Sequence, residues 1–198
     1  MAQQHQPRAI VFFDGQNLFR VAKNAGEHHG PPYGWPCFDV VKLAQALVDR
    51  LGGRQLSQIR FYTGVPTSRQ NEFWSRFWRN KLYVLEQQGV YVYRGRISNA
   101  QEKGVDVSIA TDLLWLTYKQ QLDMAIIVSQ DSDLAPAVVR AKEFAKDQGR
   151  WVTFESAFPE APHRSIGGPK AHRGIDGTDW VVIDKATYDA CIDPRDYR

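Results

Sequence analysis

The chain predicts an α/β domain: a mainly parallel sheet with helices on both faces. Three observations carry this. Short apolar, β-branched runs alternate along the chain with segments of helical periodicity, three of those helical segments end at glycine, and two of the apolar runs, "AIVFF" and "MAIIVS", lack the in-out alternation of a sheet wetted on one side.

The elements follow in order. "AIVFF" (9–13) reads as a strand buried on both faces, with Asp14 at its carboxyl end and a helix starting near Asn17. "VVKLAQALVDRLGG" has apolar residues at helical spacing and a glycine stop, and "QIRFYTGV" is a second strand. "NEFWSRFWRNKLYVLEQQG" is the next helix, with Phe73, Trp74, Phe77, Trp78 and Leu85 on a wide apolar face. Helical spacing assigns that face to the core first, with a homodimer interface as the alternative. "VYVYRGRI" is a third strand, "DVSIATDLLWLTYK" a helix, "MAIIVS" an apolar strand, "DLAPAVVRAKEFAKDQG" a helix and "RWVTFES" a fifth strand. Residues 157–178 are rich in Gly, Pro and His without periodicity and read as a long loop. "DWVVID" is a last strand and "KATYDACI" a short closing helix. Residues 1–8 read as a disordered start, and 9–198 as a single domain.

Composition narrows the function classes. With 43% hydrophobic residues and six tryptophans, 198 residues can bury a substantial core. No apolar run approaches the roughly 18 residues of a membrane span, and "MAQQHQPR" lacks the apolar stretch of a secretory signal, so a cytoplasmic protein is expected. Cys37 and Cys191 stand far apart in no metal-ligand spacing, which fits a reducing compartment. The net charge of +3 is uneven: nine Lys/Arg face three Glu between Arg54 and Lys103. A basic stretch of this kind suits a polyanionic partner, although a mixed solvated surface is its commoner meaning.

The aspartates carry the chemistry. Asp14 ends the first strand, and "IIVSQDSD" puts Asp131 and Asp133 just past another buried strand, at the same edge of a parallel sheet, where ligands bind in such folds. "KGVDVSIATD" places Asp106 at the start of the helix leading into that strand. Taken singly, each has a structural use: Asp14 as a helix cap, Asp131 and Asp133 in an Asx turn and cap, Asp106 opposing a helix dipole. Their convergence points instead to a hard divalent cation, Mg²⁺ or Mn²⁺, because clustered carboxylates repel unless neutralised. Asp112 lies six positions after Asp106, about 240° around a helix, and is assigned a supporting place. Asn17, Lys103 and Ser129 are assigned substrate-positioning or supporting places, with ordinary polar roles as alternatives. No Walker-type loop, G-x-G-x-x-G or G-x-S-x-G is present.

"VFFDGQN", "KGVDVSIATDLL" and "IIVSQDSDL", in this order, resemble the NYN domains of the LabA-like group in the PIN-like nuclease superfamily. The resemblance runs from about residue 9 to 155, and "DWVVID" fits the group's last strand. It implies a Rossmann-like sheet flanked by helices, an acidic pocket holding Mg²⁺ or Mn²⁺, and RNA cleavage, as in many relatives. Asp14, Asp106 and Asp131 match the central acids, Asp133 and Asp112 further acids, and Asn17 and Lys103 polar positions near the pocket. Gln130 departs from the glycine common in the family's "SGDSD" turn, and the loop after 156 is not part of its pattern.

The expected activity is therefore metal-dependent phosphodiester hydrolysis, with Asp14, Asp106, Asp131 and Asp133 as catalytic and metal-binding residues. RNA, single-stranded or structured, is the expected partner, with DNA not set aside. Arg69, Arg76 and Arg79 fall within about an 80° arc of a helix read over 69–88, as a phosphate-tracking stripe. Tyr91, Tyr93 and the tryptophans are either base-stacking surfaces or, by default, core. A haloacid-dehalogenase-type phosphatase would need a second Asp where Gln16 stands. A non-catalytic RNA- or protein-binding regulatory module on the same fold is the stronger alternative.

Overall fold

The computed structural model describes residues 6–26, 33–99, 101–160 and 173–198. Its seven-stranded sheet has the order β4-β3-β2-β1-β5-β6-β7, built from β1 (Arg8–Asp14), β2 (Gln55–Val65), β3 (Tyr91–Ser98), β4 (Gln101–Lys103), β5 (Met124–Val128), β6 (Thr153–Pro159) and β7 (Asp179–Ile183). Every neighbouring pair is parallel except β3 and β4. The helices are α1 (Gly15–Gly26), α2 (Val40–Leu51), α3 (Glu72–Gln87), α4 (Val105–Tyr118), α5 (Ala135–Asp147) and α6 (Lys185–Ala190), with a 3-10 turn at Ser132–Leu134.

The two-sided apolar strands explain the layering. Ala9, Val11 and Phe13 of β1 pack with α1, α2 and α3 on one face, while Ile10 and Phe12 pack with α4 and α5 on the other. β5 divides in the same way, Met124, Ile126 and Val128 on the first side and Ala125 and Ile127 on the second. Neither strand has a face left for water, so neither shows alternation in its sequence. The chain leaves β1 toward β2 and β3 and later returns to the other side of β1 as β5. That reversal makes a topological switch point at the carboxyl ends of β1 and β5, the crevice where open α/β sheets bind ligands.

Three boundaries differ from expectation. The antiparallel β4, only three residues long, is too short to show a period. β6 extends through Pro159, so 157–159 belong to a strand and not to the long loop; of that loop, 161–172 lie outside the described residues. Of the start expected to be disordered, 1–5 lie outside them too, while Arg8 already pairs with Gln55 in the sheet.

Candidate metal centre

Asp14 is 3% exposed, at the point where β1 turns into α1. Its Oδ1 accepts the Asn17 N–H at 3.0 Å, so it does cap the helix, and its Oδ2 accepts from Ser129 Oγ at 3.2 Å. Ser129 Oγ in turn accepts the Asp131 N–H at 3.1 Å, and Asp131 Oδ1 accepts the Asp133 N–H at 3.0 Å. Asn17 Oδ1 accepts the Gln130 N–H at 3.1 Å. Ser129 and Asn17 thereby tie the turn after β5 to the start of α1, across the switch point. The structural uses of these acids are realised, yet they leave oxygens converging: one carboxylate oxygen each from Asp14, Asp106 and Asp131 lies within 4.8 Å of the other two.

Asp106 is delivered by Gly104, which stands at the cap of α4 with φ +86° and no side-chain cap. A Cβ at Gly104 would also meet the Tyr93 hydroxyl at 2.9 Å. Replacing Gly104 with Ala is expected to destabilise the fold by about 1–2 kcal/mol, the left-handed penalty of an L-residue, read as a lowered midpoint in urea unfolding. An unchanged midpoint would mean that the α4 start relaxes freely.

The electrostatics of the cluster are those of acids held too close. Burial, then the charges of Asp106 and Asp131, push Asp14 up to about 6 against the pull of Asn17 and Ser129. Partial burial and the charges of Asp131 and Asp133 also raise Asp106. The donor set is all carboxylate oxygen, graded from buried Asp14 through half-buried Asp131 to exposed Asp106. Hard oxygen donors with one open side fit Mg²⁺ or Mn²⁺, which keep several waters.

Sequence reasoning missed Glu102. On β4, its carboxylate accepts the Gly64 N–H of β2, and burial, with Asp14 and Asp106 adding negative charge, holds it up to about 7. Gly64 has no room for a side chain there: a Cβ would lie 2.6 Å from Glu102 Oε1 and 2.7 Å from Ile97 Cδ1. The available signal was Glu102 standing directly before "KGVD", on the opposite strand face from Lys103. Lys103 itself is exposed and donates to Gln101 Oε1 at 3.2 Å, the solvated reading of that residue.

The other assigned residues lie apart from the three converging oxygens. Asp133 is exposed in the 3-10 turn, felt by Asp106 as charge. Asp112 accepts from Arg60 and from Tyr62 Oη, both at 2.8 Å, pairing α4 with β2. Arg69 sits in the turn before α3 rather than on it, which corrects the three-residue helical stripe; Arg76 and Arg79 are exposed on α3. The basic stretch is also thinner than its composition suggests. Arg60 pairs with Asp112, Arg94 with Glu86, and Lys81 is fully buried. Tyr91, exposed by 44%, lies under the Arg60 guanidinium at 3.8 Å, and Tyr93 is half-buried with its hydroxyl close to Gly104.

Fold and site together define a Rossmann-like α/β domain with a carboxylate cluster at its switch point. The family model of the NYN domain matches residues 8–161, and the chain belongs to that family. Among solved structures, a protein of unknown function from Vibrio parahaemolyticus is similar, at 18% identity and a TM-score of 0.57, covering 93% of this chain and 98% of that one. Identity this low speaks to the fold alone. No protein with a curated description matches the chain. Among the described residues, no helix is long and apolar enough to cross a membrane.

Proposed function

We propose that this chain is a divalent-metal-dependent ribonuclease of the LabA-like branch of NYN domains, one domain over 9–198, acting in the cytoplasm. The observation that carries the reading is the convergence of Asp14, Asp106 and Asp131 within 4.8 Å at the switch point. These three would hold Mg²⁺ or Mn²⁺, with Asp133 at the rim. A bound ion of this kind supplies activation of water and stabilisation of the leaving oxygen in phosphodiester hydrolysis. Ser129 and Asn17 position the acids through the bonds described above. Glu102, held up to about 7 by burial and by the charges of Asp14 and Asp106, is protonated in part near neutrality. Cys37 and Cys191 are not joined in a disulfide, which suits a reducing compartment.

The test is cleavage of end-labelled single-stranded RNA in Mn²⁺ or Mg²⁺, beside an EDTA control and the folded Asp131→Asn variant. Cleavage by the native chain alone, abolished by EDTA, is the expected result. Equal cleavage by both chains would remove the acids from the chemistry. Binding without cleavage in any metal would leave a regulatory RNA-binding module on the same fold.

A further inference from the structure

A cleft of about 470 Å³ opens between the first turns of α1 and α3, beyond the carboxyl end of β2. Its size falls in the range of small-ligand sites, ~300–1,000 Å³. Phe19 and Trp74, packed against each other with ring centroids 6.2 Å apart and planes inclined at 54°, form one wall of it, and buried Trp78 also lines it. Both wall residues are only half-buried, unlike Phe77 and Trp78 one turn further along α3, so they leave ring surface open to the cleft.

The polar rim is already ordered. Gln70 donates from Nε2 to the Ile97 carbonyl at 2.8 Å and accepts the Thr67 N–H at 2.9 Å, while Asn71 Oδ1 caps α3 through the Trp74 N–H at 3.0 Å. Gln16, two residues past Asp14, accepts from Arg20 Nη2 at 3.2 Å. A rim held this way loses little side-chain freedom when a ligand arrives. Arg20 and Arg69 directly follow or precede lining residues Phe19 and Gln70, both are exposed, and neither pairs with a carboxylate among the described residues. Arg20 also links the cleft to the acid cluster, since its charge is felt at Glu102 together with those of Asp14 and Asp106.

An aromatic wall, fixed amides and flanking guanidiniums beside a carboxylate centre match one chemistry, a flat heterocycle whose neighbours on the chain are phosphates. We propose that this cleft stacks one unpaired nucleobase of the nucleic acid strand whose phosphodiester lies at Asp14, Asp106 and Asp131, a reading that rests on the function proposed above. A base inside a duplex is stacked on its neighbours and cannot enter. Selection of single-stranded over duplex RNA near the cut follows from the shape of the cleft.

Two measurements on the full chain test this. In the first, short single-stranded RNAs carrying 5-iodouridine are cross-linked to the native protein by light, and the modified residue is mapped; adducts at Trp74 or Phe19 are expected. In the second, the affinity of a fluorescent single-stranded tetranucleotide is compared between native, Trp74→Leu and Phe19→Leu chains, each checked for an intact thermal transition. A loss on the order of 5- to 100-fold is expected, the size one base–aromatic stack accounts for, with duplex RNA of the same sequence bound poorly by all three. RNA that binds with unchanged affinity to both variants and cross-links elsewhere would overturn the base site while leaving the nuclease reading intact. Adducts at Trp74 with no cleavage in any metal would uphold the base site and overturn the nuclease reading, and no binding of any RNA would overturn both.

Discussion

Replacing Asp14 with Asn is expected to have two opposite effects: cleavage falls on the order of 10²–10³-fold, while the metal-free protein becomes more stable at neutral pH. The first effect is of the size seen when one preorganised electrostatic partner of a reaction is removed. The second follows from linkage. Asp14 is held up to about 6, above its ordinary 3.8, so the folded state binds this proton more tightly than the unfolded chain does. Stability from this group is therefore greatest below about pH 4, falls as pH rises through 6, and carries the full ionisation penalty above that. At pH 7.5 the penalty is about 3 kcal/mol, and asparagine removes it. The bonding pattern survives: Asn Oδ1 keeps the Asn17 N–H, and its amide donates to Ser129 Oγ in place of accepting from it. Urea unfolding in EDTA should show the variant more stable than the native chain at pH 7.5 and nearly equal to it at pH 4. Mn²⁺ should then stabilise the native chain and hardly move the variant, because binding to the folded state alone adds stability. A variant less stable than native protein at pH 7.5 without metal would show that Asp14 is not under electrostatic strain.

Lys81→Ala is expected to destabilise the protein by about 3–5 kcal/mol, the range for breaking one side of a buried ionic pair, and to lower Tm by roughly 10 °C or more. Lys81 is wholly buried on α3, donating to the Pro36 and Phe38 carbonyls at 3.0 and 2.8 Å, with Asp193 Oδ2 at 3.7 Å. The rings of Phe38 and Tyr197 each have their centroids 5.0 Å from Nζ. Burial pulls this amine down to about 8, against the raising influence of Asp193. Charge attraction alone does not justify its position; its bonds to otherwise orphaned carbonyls do. Truncation leaves those carbonyls unsatisfied, removes the ammonium from Asp193 while Tyr197 Oη at 2.6 Å and the Arg195 guanidinium at 3.3 Å remain beside it, and opens a cavity. Lys81→Met, which keeps the volume, should lose less, and Lys81→Met with Asp193→Asn should recover part of the remainder. Because Lys81 ties the segment around Asp193 and Tyr197 to α3, limited proteolysis should clip the carboxyl end of Lys81→Ala first. A thermal transition within 2 °C of the native one would overturn this account.

Most of the geometry of the acid cluster was legible along the chain because it depends on strand ends. β1 and β5 are short runs with no polar face, so they had to lie inside a covered parallel sheet, and acids directly after them had to share its carboxyl edge. That reasoning brings Asp14 to Asp131 without knowledge of a single contact, and the helix start at "GVD" adds Asp106. The same local logic does not reach Glu102. Its place depends on a three-residue antiparallel strand whose register against β3 sets it beside Gly64, and no periodicity announces so short an element.

What the sequence by itself determined is the order of the helices and the longer strands, the two-sided burial of the central strands and the meeting of three aspartates, all consequences of apolar period and chain direction. Only the tertiary structure decided which charges are used internally and which remain for a partner. Lys81 reads as one charge of the basic stretch, and Asp112 as a support of the acid cluster, until α3 closes over the carboxyl-terminal segment and α4 lies across β2; whether an ionisable side chain meets water or a counter-charge is fixed by what packs on it from distant parts of the chain.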